Sequence, residues 1–157
     1  MIIREEIRVS APPERVWSIL TDLDRWADWN PVCRECRLEK GPALDTGARL
    51  SFQLTPLFFP LRIAPRITRC DAGQTLVWAG AKWGLRAEHT FLFETAPEGT
   101  RLESIEHFSG WMLPALQLLG IPRRLHRLTK ELLVAVKKAA ERPTEPINTL
   151  EKSRNPR

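Results

Sequence analysis

The chain has 157 residues, 43% of them hydrophobic and 27% charged, with a formal charge of +5. This is the make-up of one globular domain with a real core. The longest apolar stretch, residues 111–121, is too short to span a bilayer and contains Pro114 and Gly120, which excludes a transmembrane helix there. Met1-Ile2-Ile3-Arg4-Glu5-Glu6 begins the chain. It puts charge where a signal peptide would be apolar, so a cytoplasmic location is expected.

In chain order, Ile3, Glu5, Ile7 and Val9 alternate with Ile2, Arg4, Glu6 and Arg8, which predicts a half-buried first strand. Ser10-Ala11-Pro12-Pro13-Glu14 reads as a helix start, because proline at the first helical position wastes no N–H and an early Glu suits the positive helix end. Val16, Trp17, Ile19, Leu20 and Leu23 give that helix its apolar stripe, and a second short helix carrying Trp26 ends at Asn30-Pro31. Six strands follow, at about 32–39, 48–55, 61–71, 74–81, 85–95 and 100–108. The turn signals between them include Gly41-Pro42, Asp71-Ala72-Gly73, Trp83-Gly84 and Pro97-Glu98-Gly99. Connections this short favour antiparallel pairing. A helix starts at 111–119, breaks at Gly120-Ile121-Pro122 and continues to Arg142. Ile121, Leu125, Leu128, Leu132, Val136 and Ala139 share one face of it; Arg123, Arg127, Lys130, Lys137 and Lys138 share the other. The fold class is therefore α+β: a curved antiparallel sheet of about seven strands gripping a long C-terminal helix. The domain spans 1–142, and the charged segment 143–157, beyond the helix-stopping Pro143 and Pro146, is expected to be a disordered tail.

From Ile121 onward ten Lys/Arg face four Glu, so the basic character belongs to the last helix and tail. No aromatic residue is interleaved with that basic face, so nucleic acid is not an expected partner. Three cysteines do not suggest a disulfide framework. Cys33 and Cys36 form a CxxC, yet there is no second pair to complete a zinc site, and strand geometry sends residues three apart to opposite faces. No metal and no cofactor are expected.

Ala11-Pro12-Pro13-Glu14-Arg15-Val16-Trp17, Thr21-Asp22-Leu23 with Trp26, Trp29-Asn30-Pro31, Leu76-Val77-Trp78, His89-Thr90-Phe91, Gly99-Thr100-Arg101-Leu102 and His107-Phe108-Ser109-Gly110 occur in this order along the chain. Together with the element order, they resemble the START-like or helix-grip (SRPBCC) superfamily, and within it the polyketide cyclase/dehydrase and lipid-transport group. The resemblance covers residues 1–142 and implies an apolar cavity between sheet and long helix. It selects no ligand, since fold alone does not imply function.

Strand phase says which residues would line such a cavity. Phe52 and Leu54 share a phase, as do Ile63 and Ile67, Leu76 and Trp78, Phe91 and Phe93, and Leu102 and Phe108; Met112 and Leu116 face them from the helix side. Trp29 and Trp83 are candidates for the rim, since indole suits an amphipathic ligand. His89 and Glu106 are polar residues on these apolar phases and are the candidate catalytic or anchoring pair. The chain contains no tyrosine, which removes one common acid for enolate chemistry. The apolar 55–60 connection could close the mouth, meet a partner or dip into a membrane.

The leading function is a carrier or sensor of a small hydrophobic or amphipathic molecule, such as a lipid, isoprenoid, quinone or polyketide. The alternative is a polyketide aromatase/cyclase- or dehydratase-like enzyme using His89 and Glu106. A peripheral contact with an anionic membrane surface is the further partner that the basic helix face allows.

Overall fold

Strand β1 (Ile2–Val9) leads into helix α1 (Pro13–Thr21), a 3-10 turn (Leu23–Arg25) and helix α2 (Trp26–Trp29). Seven strands follow: β2 (Arg34–Lys40), β3 (Arg49–Leu54), β4 (Leu61–Ile63), β5 (Arg66–Asp71), β6 (Thr75–Lys82), β7 (Leu85–Ala96) and β8 (Gly99–Ser109). Helices α3 (Leu113–Leu118) and α4 (Ile121–Glu141) end the chain's regular structure. This computed structural model describes residues 1–41, 43–54 and 60–143. Most of the 55–60 connection and the 144–157 tail therefore lie outside the described residues.

The strands form one antiparallel sheet in the order β1-β8-β7-β6-β5-β3-β2, with β4 hydrogen-bonded to β3 beside this path. Each hairpin from β5 to β8 pairs neighbours in sequence, as short turns require, and β1 closes onto the last strand. Pro12 caps α1, its carbonyl accepting from the backbone N–H groups of Arg15 at 3.0 Å and Val16 at 3.2 Å. Val16 and Leu20 are fully buried beneath it. Each such side chain taken out of water stabilises the fold by about 1.5–3 kcal/mol.

Two expectations about the strands need correction. The single strand expected at 61–71 is two, because Pro65 has no N–H to give a ladder; its carbonyl alone takes part, accepting from Leu50 N at 3.2 Å. The strand expected at 32–39 starts at Arg34, and Val32 and Cys33 are instead tied to Asn30, whose Oδ1 accepts both their N–H groups at 2.9 and 3.1 Å. Register then shifts between Arg34 and Arg37, with Glu35 at a φ of 51°. That bulge adds a residue, so Cys36 does not face away from Cys33: Cys33 is buried and Cys36 packs against the same core. Burial raises both thiols, Cys36 to about 12.

Helix α4 begins where Gly120, at a φ of 70°, interrupts the helical path after α3. Its buried face carries Ile121, Thr129, Leu132, Leu133, Val136 and Ala139, with Leu125 and Leu128 only half-buried. The helix packs on β1, β8, α1, α2 and α3. Further along the same sheet face, aromatic rings fill the space. Trp26, Phe52, Trp78 and Phe91 meet with centroids 5.1–6.4 Å apart. Trp26 is fully buried, and its indole N–H is satisfied by Leu20 O at 3.0 Å. Among the described residues no helix is long and apolar enough to cross a membrane.

Candidate functional site

Register brings the two predicted polar residues face to face. Across the sheet, Ile3, Glu106, His89, Trp78 and Ile67 form one row; Glu5, Ser104, Phe91 and Leu76 form the next. His89 lies stacked on Phe91 with centroids 4.1 Å apart and edge-on to Trp78 at 5.2 Å. Its Nε2 is 2.7 Å from Ser104 Oγ. Ser104 has no accessible surface. Burial holds the imidazole below its ordinary pKa, and the nearby Glu106 charge pulls only partly the other way. A neutral ring in this setting offers one donor and one acceptor.

Glu106 finds its partner on the opposite wall. Thr129, buried on α4, donates its hydroxyl to Glu106 Oε1. The same hydroxyl lies 3.0 Å from Leu125 O, but one proton serves one acceptor at a time, and the carboxylate is the stronger. Next along the sheet, Glu5 Oε1 meets His126 Nε2 and lies 3.5 Å from Lys130 Nζ, both on α4. Burial pushes the Glu5 pKa up, yet the His126 hydrogen bond and the Lys130 charge outweigh it, and the net shift is downward. A polar row thus runs beneath α4 and ends against the aromatic wall. Sequence reasoning found His89 and Glu106 but missed Ser104, Thr129, Glu5 and His126 as members. Phase held the signal for Ser104, two residues from both Leu102 and Glu106. For Thr129 the signal was a hydroxyl four residues after Leu125 on the helix's apolar face.

The predicted ligand-binding residues divide by burial. Phe91 and Ile67 have no accessible surface, so no space large enough for a water molecule borders them. Phe52, Trp78 and Phe108 retain 4–6%. These five are buried. Trp29, Leu54, Ile63, Met112 and Leu116 are half-buried and keep apolar surface to offer. Trp83 is set apart on the β6–β7 turn, 65% exposed, with Lys82 Nζ 4.8 Å from its ring centroid. Two recesses, of about 680 and 370 Å³, open elsewhere. The larger lies between α1 and the β5–β6 turn, where Phe93 is the one predicted lining residue that borders it, and the smaller includes none. Among the described residues no cluster of His, Cys, Asp and Glu could hold a metal ion.

Comparison with known proteins bears on this arrangement. The profile of the family described as polyketide cyclase / dehydrase and lipid transport matches residues 2–141. No curated protein matches the sequence. Among solved structures, the Zhui aromatase/cyclase from Streptomyces sp. R1128 superposes with a TM-score of 0.76 at 17% identity, over 90% of this chain and 94% of that one. TTHA0849 from Thermus thermophilus gives 0.75 at 17%, over 89% and 97%. The di-domain ARO/CYC BexL of the BE-7585A biosynthetic pathway gives 0.75 at 16%, over 92% of this chain and 51% of that protein. At these identities the likeness is one of fold.

Proposed function

We propose that this chain, which belongs to the polyketide cyclase/dehydrase and lipid transport family, binds a small hydrophobic or amphipathic molecule between its sheet and α4. A lipid, isoprenoid, quinone or polyketide has the required character. The observation that carries the reading is the polar row His89, Ser104, Glu106 and Thr129 beside an aromatic wall, with Ser104 and Thr129 buried and His89 and Glu106 half-buried. A core needs no such row, because dehydrating hydroxyl, imidazole and carboxylate groups costs free energy that apolar side chains would not. A ligand's polar end would find both donor and acceptor there. Its apolar body would lie on the half-buried Leu54, Ile63, Met112 and Leu116.

The register pairing of His89 with Glu106 supports a second reading, an aromatase/cyclase or dehydratase. In that chemistry the neutral imidazole takes a proton from carbon between two carbonyls, and the resulting enolate carbon attacks a second carbonyl of the same chain. The new alkoxide takes up a proton, and loss of that hydroxyl as water with a second carbon-bound proton leaves the ring double bond. Likeness to the Zhui aromatase/cyclase supports it at the level of fold.

One experiment separates the readings. An anilinonaphthalene dye should bind the protein and be displaced by fatty acids or aromatic polyketides, and Ile63→Ala with Leu116→Ala should weaken it. Dye that binds only near the unfolding transition would refute the binding site. His89→Asn that leaves dye binding intact while abolishing water loss from a poly-β-ketone would establish the enzyme. Absence of turnover in the native protein would leave a carrier.

A further inference from the structure

Most large apolar side chains left in solvent collect at one end of the molecule. Trp83, Trp111, Leu118 and Leu119 are 65, 77, 90 and 68% exposed, and only Ile2 and Val134 are comparably exposed elsewhere among the described residues. Trp111 lies just before α3 and Leu118 ends it, and with the exposed Pro114 and Ala115 between them they give this segment an exposed apolar stripe. No residue of α3 is fully buried. Trp83 joins this stripe through the β6–β7 turn: the Trp111 indole rests on Gly84, where an added Cβ would lie 2.1 Å from its Nε1.

Charge at this end has one sign. The segments at this end, residues 81–87 and 107–123, contain Lys82, Arg86 and Arg123 and no Asp or Glu. Lys82, Arg86 and Arg123 are exposed around the apolar stripe, Lys82 also donating its Nζ to Arg62 O at 2.7 Å. The turn adds an independent sign. Trp83 holds a φ of 51°, a left-handed conformation that suits Asn or Gly and that a bulky side chain avoids. Nothing in the core gains from it, since the ring is held out in solvent.

We propose that this end, α3 with the β6–β7 turn, docks on an anionic phospholipid bilayer. The two indoles and Leu118 enter the interface while Lys82, Arg86 and Arg123 meet the headgroup charge. Indole favours the headgroup level, and cations beside an apolar stripe are what an acidic lipid surface selects. The exposed residues of this surface are not those of the polar row or of the proposed ligand surface, so variants at them test docking separately from ligand binding.

The test uses the full chain and vesicles of phosphatidylcholine with and without phosphatidylglycerol. Cosedimentation should require phosphatidylglycerol, weaken as salt is raised, and shift tryptophan emission to the blue. Arg123→Ala should weaken partitioning about fivefold, and Leu118→Ser about tenfold, the share of one buried leucine. Trp83→Asn relieves the strained turn, so it should raise the thermal midpoint while weakening vesicle binding; this opposition separates docking from a folding role. Equal binding to neutral vesicles, or none to acidic ones, would overturn the proposal. So would a concentration-dependent dimer that Leu118→Ser dissociates, which would make the stripe a contact between copies.

Discussion

His89 and Glu106 stand directly opposite each other on β7 and β8, yet each spends its hydrogen bond elsewhere, the imidazole on Ser104 and the carboxylate on Thr129. They are neighbours in charge rather than a bonded pair. The consequence is a neutral imidazole kept near a carboxylate, with burial dominating the ring's titration.

That dominance fixes the sign of a pH effect. In the unfolded chain the imidazole titrates near its ordinary value of ~6.5, while in the folded site it binds a proton only at lower pH. Between those two values the unfolded state holds more protons, so stability falls as pH drops from ~7 through the window. Urea midpoints measured across this range should decline, and His89→Gln should flatten the decline. Glu106→Gln removes the charge that favours the imidazolium and should steepen it. An unchanged slope in His89→Gln would show that the ring is not dehydrated.

Thr129 is the one hydroxyl that α4 buries against Glu106. Thr129→Val keeps the shape but leaves the carboxylate without its donor, which should cost about 1–3 kcal/mol by urea denaturation. Thr129→Ser restores the hydroxyl and should recover most of the loss. If valine and serine behave alike, the cost is one of packing and Glu106 has another partner.

Core and ligand surface should separate under mutation. Phe91 has no accessible surface and touches His89 and Trp78, so Phe91→Ala should cost about 3–5 kcal/mol and lower the melting temperature by roughly 10 °C. Ile63 is half-buried at the short edge strand β4, and Ile63→Ala should cost about 1 kcal/mol while weakening dye binding several-fold. Equal thermal losses in the two variants would make Ile63 core as well.

Much of this arrangement was readable from periodicity. Alternation in β7 and β8 put His89 and Glu106 on the inner phase, and register needed only the tight turn before Gly99 to set them opposite. What escaped has local physical causes. Pro65 divides a run whose hydrophobic pattern is continuous, and the bulge at Glu35 reverses the side on which Cys36 falls. Neither changes composition, so neither leaves a trace in hydropathy. Thr129 escaped because its partner is 23 residues away on another element, and helical phase alone says only that it points inward. The division of apolar residues into core and ligand surface depends on how far α4 reaches across the sheet. Its packing on β1 and β8 is a tertiary outcome that no single segment encodes.

The junction between α3 and α4 is where motion should be concentrated. Gly120 sits at a φ of 70°, with nothing within 4 Å of where a Cβ would be, and Pro122 follows at the start of α4. Pro122 cannot donate the helical hydrogen bond to Leu118, and the left-handed glycine turns the chain between the two helices. α3 is therefore joined to α4 by a hinge and to the body by half-buried Met112, Leu113 and Leu116 and by the Trp111 indole on Gly84. α4 is anchored separately through Leu132, Leu133 and Val136, so α3 can swing without disturbing it. Replacing Gly120 and Pro122 together with alanine makes the left-handed turn cost about 1 kcal/mol and restores the missing donor, favouring a continuous helix. The rates of dye uptake and release should both change in that double variant, by several-fold in stopped-flow fluorescence, with equilibrium affinity less affected because both rates pass through the same opening. Wild-type rates in both directions would show that ligand reaches the polar row by another route and that α3 is a fixed wall.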